Sequence, residues 1–292
     1  MIAKSAGERI WDIFVIVFLG LLSIVMFIPF YNMILVSTAP YEDYVRSALY
    51  IWPTRFDFTA YKLIFLDKTL VRAVLFTTGM TIVGTTINLL VTTAAAFALS
   101  QKKLPDRGII LTLIIISMYF SGGLIPYFLV LKDLGFIDNP LVYVLPTAFD
   151  TFWLLLMKNY FNSIPESLQE SAEIDGANPF TILTKIIIPV STPIIATIAL
   201  FFAVSRWNEW WMNMLFVRKP EYYTLQYLLR KVVIDLTLQL GPAVKEAQRT
   251  IKVYPVSIQM ATVTVATIPI LIIYPFLQKY FTQGIMLGSL KE

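Results

Sequence analysis

The chain contains no cysteine and no histidine. Without thiols, disulfide frameworks and zinc sites of the usual kind are excluded, and without imidazole so is His-based acid–base or triad chemistry. Charge is scarce as well: 14% of residues are Asp, Glu, Lys or Arg while 57% are apolar. A soluble domain carries about 25% charged residues, so this composition belongs to a chain that lives largely in lipid. None of the 12 glycines is followed by lysine, so no phosphate-binding loop of the Walker A type exists. Any nucleotide that powers the protein must bind another chain. Repeats of solenoid length and low-complexity tracts are also missing.

What is present is a set of long charge-free windows. Residues 13–41, 73–101, 108–131, 186–205 and 253–278 hold no charged side chain. Each is about as long as the roughly 20 residues that a helix needs to cross the hydrocarbon core. A sixth stretch, 141–161, is apolar apart from Asp150 and Lys158. The expected fold is therefore an all-α integral membrane protein of six transmembrane helices. The first window is too long for a signal-peptide core and reads as a retained span. Residues 1–68 hold the tail, first span and an outer loop, and 69–292 the remaining five spans, ending in a tail at 282–292.

Orientation follows from basic residues in short links near span ends. Lys4 and Arg9 precede the first window, and Lys102, Lys103 and Arg107 crowd the link after the second. The short link at 132–140 sets Lys132 against Asp133 and Asp138. Both termini are thus expected inside. The long loop at 214–252 then lies outside, with Arg218, Lys219, Arg230, Lys231, Lys245, Arg249 and Lys252 against Glu221, Asp235 and Glu246. Residues 222–238 in it have helical spacing. Its charge suits either a solvated loop or an acidic partner or substrate.

One polar insert stands out between the fourth and fifth windows. Residues 163–189 read as two helices about a sharp turn, with Ser163 as first cap and Pro165 at an early helical position. Ile164, Leu168, Ala172 and Ile174 mark one face and Glu166, Gln169, Glu170 and Glu173 the other. Asp175-Gly176 ends the first helix, since glycine accepts positive φ, and Asn178-Pro179 caps and opens the second. No basic residue occurs in 163–184, unlike a plain interfacial helix.

Within this insert, Glu170-Ser171-Ala172, Gly176 and Ile186-Ile187-Ile188-Pro189 keep the spacing of the E-A-A…G…I-x-L-P pattern. On these residues the chain resembles permease subunits of bacterial ATP-binding-cassette importers; Ser171 and Ile188 depart in side chain only. ESAEIDGANPF…IIIPVSTP resembles the carbohydrate subgroup, the smaller maltose-importer permease in particular. SGGLIP at 121–126, LPTAFDTF at 145–152, RWNEWW at 206–211 and QKYFTQGIMLGSLKE at 278–292 are similar to its polysaccharide branch, alginate-type importers included. The resemblance implies a non-catalytic subunit of the bacterial inner membrane, working by alternating access. It implies a second, different permease, two cytoplasmic ATPase subunits that carry ATP and magnesium, and an external solute-binding protein that delivers an oligosaccharide. This chain itself would hold no cofactor or metal and contact lipid but no nucleic acid. It also implies that the insert docks on the ATPase, with Glu170 meeting a basic group, Asp175 and Gly176 forming the reversal, and Ala172, Ala177 and Phe180 a compact apolar knob.

Substrate-path candidates are polar or aromatic groups at membrane depth, where they are expensive unless used. Asn88 lies mid-window, where helix–helix hydrogen bonding is the favoured reading over a place in the path. Asp150 and Trp153 are expected to share a face of the fourth span. Tyr119, Phe120, Ser121, Gly122 and Gly123 predict a kink that bares backbone. Arg206 and Glu209 are spaced to pair. Trp207, Trp210 and Trp211, with Asn208 beside them, form either a sugar-stacking strip or an interfacial belt. The basic outer loop tilts the expected cargo toward an acidic, uronate-type oligosaccharide. An ion-coupled secondary carrier is the competing class; it needs intramembrane carboxylates and inverted repeats, and Asp150 alone qualifies.

Overall fold

The structure, a computed structural model, describes residues 6–46, 51–52, 55–234 and 255–289. Among them the chain is helical with no strand. In chain order the helices are α1 (Ala6–Ser37), α2 (Tyr41–Arg46), α3 (Thr59–Leu66), α4 (Lys68–Ser100), α5 (Arg107–Tyr119) and α6 (Leu124–Asp133). There follow α7 (Thr151–Asn162), α8 (Glu166–Ile174), α9 (Pro179–Val190), α10 (Thr192–Trp207), α11 (Trp211–Phe216), α12 (Leu225–Ile234) and α13 (Pro255–Ser289).

Among the described residues two helices are each long and apolar enough to cross a bilayer, Gly7–Ser37 and Lys68–Ser100. Two further pairs meet the same test only jointly, across a sharp bend: α5 with α6 at 113° and α9 with α10 at 85°. The first bend lies where the kink at 119–123 is expected. Gly123 has φ +84°, a left-handed conformation that a side chain resists. The second follows a π-helical turn at Leu183–Ile187. Pro189 and Pro193 withdraw two N–H groups from the ladder there, and a proline ring crowds the carbonyl four residues back. The chain is an integral membrane protein built of helices.

The expectation for 141–161 is corrected. Only its second half is helical, the 12-residue α7. A short 3-10 turn at Pro140–Tyr143 and irregular backbone precede it. Asp150 therefore does not share a helix face with Trp153. It is the N-cap of α7, its Oδ1 accepting from the Trp153 N–H at 3.1 Å.

By contacts the chain divides into two units. The first comprises residues 1–71 and 231–268. Within it α1 is exposed along most of its length and becomes buried at Leu35 and Val36. Ser37 Oγ and the Tyr61 hydroxyl share a hydrogen bond of 2.7 Å, and the Tyr31 hydroxyl donates to the Ile51 carbonyl at 2.8 Å. The Gln259 amide donates to the Val232 carbonyl at 2.8 Å.

The second unit comprises residues 72–230 and 269–292 and carries every candidate site residue. Among the described residues it holds two apolar clusters. One joins Ala96, Leu154, Met157, Phe161, Ile182 and Ile198, all fully or nearly fully buried. The other centres on Val142, Tyr143, Met212 and Phe216.

Candidate functional site: a helical bracket and a buried cation

The polar insert folds as two helices about a turn. The helix α8 ends in paired bonds, Gly176 N–H to the Glu173 carbonyl at 3.0 Å and Ala177 N–H to the Ala172 carbonyl at 2.9 Å. That 6→1 and 5→2 pairing needs a left-handed residue between, and Gly176 supplies it at φ +79°. Asn178 caps the next helix, its Oδ1 accepting from the Thr181 N–H at 2.8 Å, with Pro179 in the first turn. The start differs from expectation. Ser163 closes α7, its Oγ donating to the Tyr160 carbonyl at 2.6 Å, and Pro165 stands just ahead of α8 without a side-chain cap.

The facing of α8 also differs. Ile164 and Ala172 are buried against the first cluster, but Leu168 and Ile174 are not; Ile174 is 86% exposed. Phe180 is exposed at 74%. Ala172 is thus a packing residue and not part of an outward knob, because its closeness to Ala177 is taken up by the helix cap. Ile186 is half-buried and Pro189 exposed. The outward surface is Leu168, Glu170, Ser171, Ile174, Asp175 and Phe180.

The face carrying Glu166, Gln169 and Glu173 meets the link between α4 and α5. Lys102 Nζ donates to Glu166 and Lys103 Nζ to Glu173, each at 2.6 Å, and Gln101 donates to Gln169 at 3.1 Å. The Glu173 carboxylate holds the Lys103 ammonium above its ordinary value, through the hydrogen bond first and its charge second. A raised lysine stays paired below its ordinary pKa and releases only as pH rises through the raised value, so the contact persists at physiological pH. These partners lie 64 to 70 residues apart, which local periodicity cannot reveal.

At the far end of α10, Arg206 is 4% exposed. Its Nε and Nη2 donate to Asn88 Oδ1 at 3.1 and 2.6 Å, and Nη2 also to the Thr147 carbonyl at 2.8 Å. Nη1 reaches the Tyr143 carbonyl and Thr147 Oγ1. Asn88 turns its amide to the Thr147 and Ala148 carbonyls at 2.7 and 3.1 Å. Asn88 thus joins α4 to Arg206 at the end of α10 and to the irregular backbone before α7. Arg206 and Glu209 do not pair, because α10 ends at Trp207 and the three-residue spacing no longer shares a face; Glu209 instead accepts from the Met212 N–H at 2.9 Å.

The three tryptophans also part company. Trp207 is 9% exposed and lines a small apolar cavity of about 70 Å³ with Thr81, Leu200, Val204 and Pro269. Trp210 and Trp211 meet edge to face at 5.4 Å. Trp153 stacks on Phe201 at 4.6 Å inside the first cluster. At the break between α5 and α6, an open cavity of about 560 Å³ is lined by Ser121, Gly122, Gly123, Pro126 and Tyr127. Tyr119 and Phe120 beside it are each 77% exposed. The loop after α6 is stapled to the segment after α11, with Asp138 Oδ1 accepting from the Arg218 and Lys219 N–H groups at 2.6 and 3.0 Å. Those two bonds hold the Asp138 carboxyl below its ordinary value.

No family model matches the chain. It is 38% identical to the polygalacturonan/rhamnogalacturonan transport system permease protein YtcP of Bacillus subtilis, over 97% of this chain and 99% of that protein. It is also 38% identical to protein LplC of Bacillus subtilis, over 99% and 97% of the two chains. A crystal structure of a bacterial ABC transporter involved in import of the acidic polysaccharide alginate superposes with TM-score 0.90 and 32% identity, covering 96% of this chain and 100% of that one. The chain belongs to the permease subunits of ATP-binding-cassette sugar transporters, in their polysaccharide branch.

Proposed function

We propose that this permease crosses the bacterial inner membrane six times with both termini in the cytoplasm, and imports an acidic oligosaccharide by alternating access. Residues 69–292 form the core common to such permeases. It pairs with a second, different permease, receives cargo from an external solute-binding protein, and is driven by two cytoplasmic ATPase subunits that bind ATP and magnesium. The chain itself performs no catalysis.

The observation that carries this reading is the bracket. The reversal at Gly176 presents Ile174 and Phe180 outward beside Glu170, on a segment tied by Lys102 and Lys103 to the end of α4. A polar bracket with exposed apolar side chains suits a protein cleft better than lipid headgroups, since it lacks the basic residues that headgroups attract. Closure of the ATPases would push on this bracket, and the ion pairs would pass the displacement to α4. Acidic cargo is favoured by the basic outer loop and by the galacturonan and alginate transported by similar proteins. The break at Gly122 and Gly123, with Asn208, Trp210 and Trp211, would contribute to its path.

The test uses Glu170→Lys and Gly176→Val in the assembled transporter. A Cβ at Gly176 meets nothing within 4 Å, so the substitution acts through the left-handed backbone, which costs an ordinary residue about 1–2 kcal/mol and a β-branched one more. Both variants are expected to insert and assemble normally yet lose ATP-driven uptake. Uptake at the wild-type rate in both would remove the bracket from coupling.

A further inference from the structure

Arg230 sits over Trp210, with its guanidinium carbon 3.9 Å from the ring centroid. Cation–π contacts form within about 6 Å, so this one is close. Among the described residues Arg230 makes no hydrogen bond and no ion pair, and its side chain is exposed. A guanidinium stacked on an aromatic face points its N–H fork outward in its own plane, where two parallel bonds match one carboxylate. The arrangement holds a cation ready, with no anion among the described residues to receive it.

Its surroundings fit a sugar. Trp211 stands perpendicular to Trp210 and is 40% exposed, so the two rings form a corner whose open apolar surface is on Trp211, with Arg230 over a face of the half-buried Trp210. Such an open surface covers the C–H surface of a pyranose ring. Asn208, exposed next to it, donates to the Val204 carbonyl at 2.9 Å, which leaves its amide oxygen for a hydroxyl. Glu209 would repel an acidic ring, but its carboxylate is turned to the Met212 N–H.

The cluster is also well anchored. Two buried bonds fix the start of α12: Thr224 N–H to Asn213 Oδ1 at 2.7 Å and Leu225 N–H to Thr77 Oγ1 at 2.9 Å. Arg230 therefore projects from a helix whose position is set by α4 and α11. This preorganisation reduces the ordering cost of binding.

We propose that Trp210 and Arg230 form a subsite for one carboxylate-bearing ring of a uronate oligosaccharide, the tryptophan corner holding the ring and Arg230 its carboxylate. The proposal rests on the importer reading above and narrows acidic cargo to named residues. Arg230→Gln removes the charge while leaving a shorter polar side chain, Arg230→Lys keeps the charge but not the fork, and Trp210→Leu removes the aromatic corner.

The measurement is ATP-driven uptake by the complete transporter in vesicles, using oligogalacturonate and oligoalginate, each against its fully methyl-esterified form. In the wild type the acid form is preferred. Arg230→Gln should raise KM for the acid form by about tenfold or more, as expected when a charged hydrogen-bond partner is lost, and collapse the acid-to-ester preference toward one. Arg230→Lys should recover part of it, and Trp210→Leu should raise KM for both forms. An unchanged preference in Arg230→Gln, or equal loss for acid and ester, overturns the subsite and leaves the importer reading intact. The same holds if Arg230 pairs with a partner subunit's carboxylate, since assembly would then fail in Arg230→Gln. A wild type that transports sugars without preferring acids overturns the acidic cargo and the subsite together.

Discussion

Arg206 is buried at 4% exposure among neutral oxygens, with no carboxylate among its hydrogen-bond partners. A charge placed so is costly unless every donor is used, and here the guanidinium spans from Asn88 on α4 to Tyr143 and Thr147. It also explains Gly84: a Cβ there would lie 3.0 Å from Arg206 Nε. Arg206→Met would strip the donor from Asn88 Oδ1, the Tyr143 carbonyl and both Thr147 oxygens. At about 1 kcal/mol for each lost bond, offset by relief of the buried charge, the net loss is about 2–3 kcal/mol. The thermal midpoint of the purified complex, followed by intrinsic fluorescence, should fall by several degrees, and Gly84→Ala should lower it as well. A midpoint unmoved by Arg206→Met would mean that the node holds nothing.

At the scale of elements, the bracket was open to reading because its determinants are local. Gly176 after Asp175 and the Asn178-Pro179 pair act within five residues, and the structure uses them as the sequence dictates. The break between α5 and α6 was legible for the same reason, through Gly122 and Gly123. The irregular stretch before α7 was not. Hydropathy reports burial and says nothing of where the backbone bonds, and here carbonyls of 143, 147 and 148 are satisfied by side chains 59 to 63 residues away. The available signal was Pro146, which breaks the ladder inside the apolar run, with Pro140 just ahead of it. The seam between 101–103 and α8 was likewise hidden by its sequence separation. If that seam transmits force, Lys102→Glu with Lys103→Glu should cut the coupling of ATP hydrolysis to uptake by about fivefold or more, the usual scale of coupling between sites. Adding Glu166→Lys and Glu173→Lys should restore much of it. A double lysine variant that couples normally would reduce the seam to two solvent-exposed ion pairs of no consequence.

At the scale of the molecule, the chain has apolar helices to cross a membrane and, on the function proposed above, its bracket would take up the drive of a separate ATPase, a part that an ion-coupled carrier would not need. The path residues sort in a parallel way. Asn88, Arg206, Trp207 and Trp153 are taken up by packing, whereas Trp211 and the break at Gly122 and Gly123 are exposed and Trp210 is half-buried beneath Arg230. The most direct measurement is uptake of a uronate oligosaccharide into vesicles that hold the complete transporter and its binding protein. ATP-dependent uptake that vanadate abolishes, and that survives dissipation of proton and sodium gradients, is the predicted result. Uptake that persists under vanadate and collapses with an ionophore alone would contradict it.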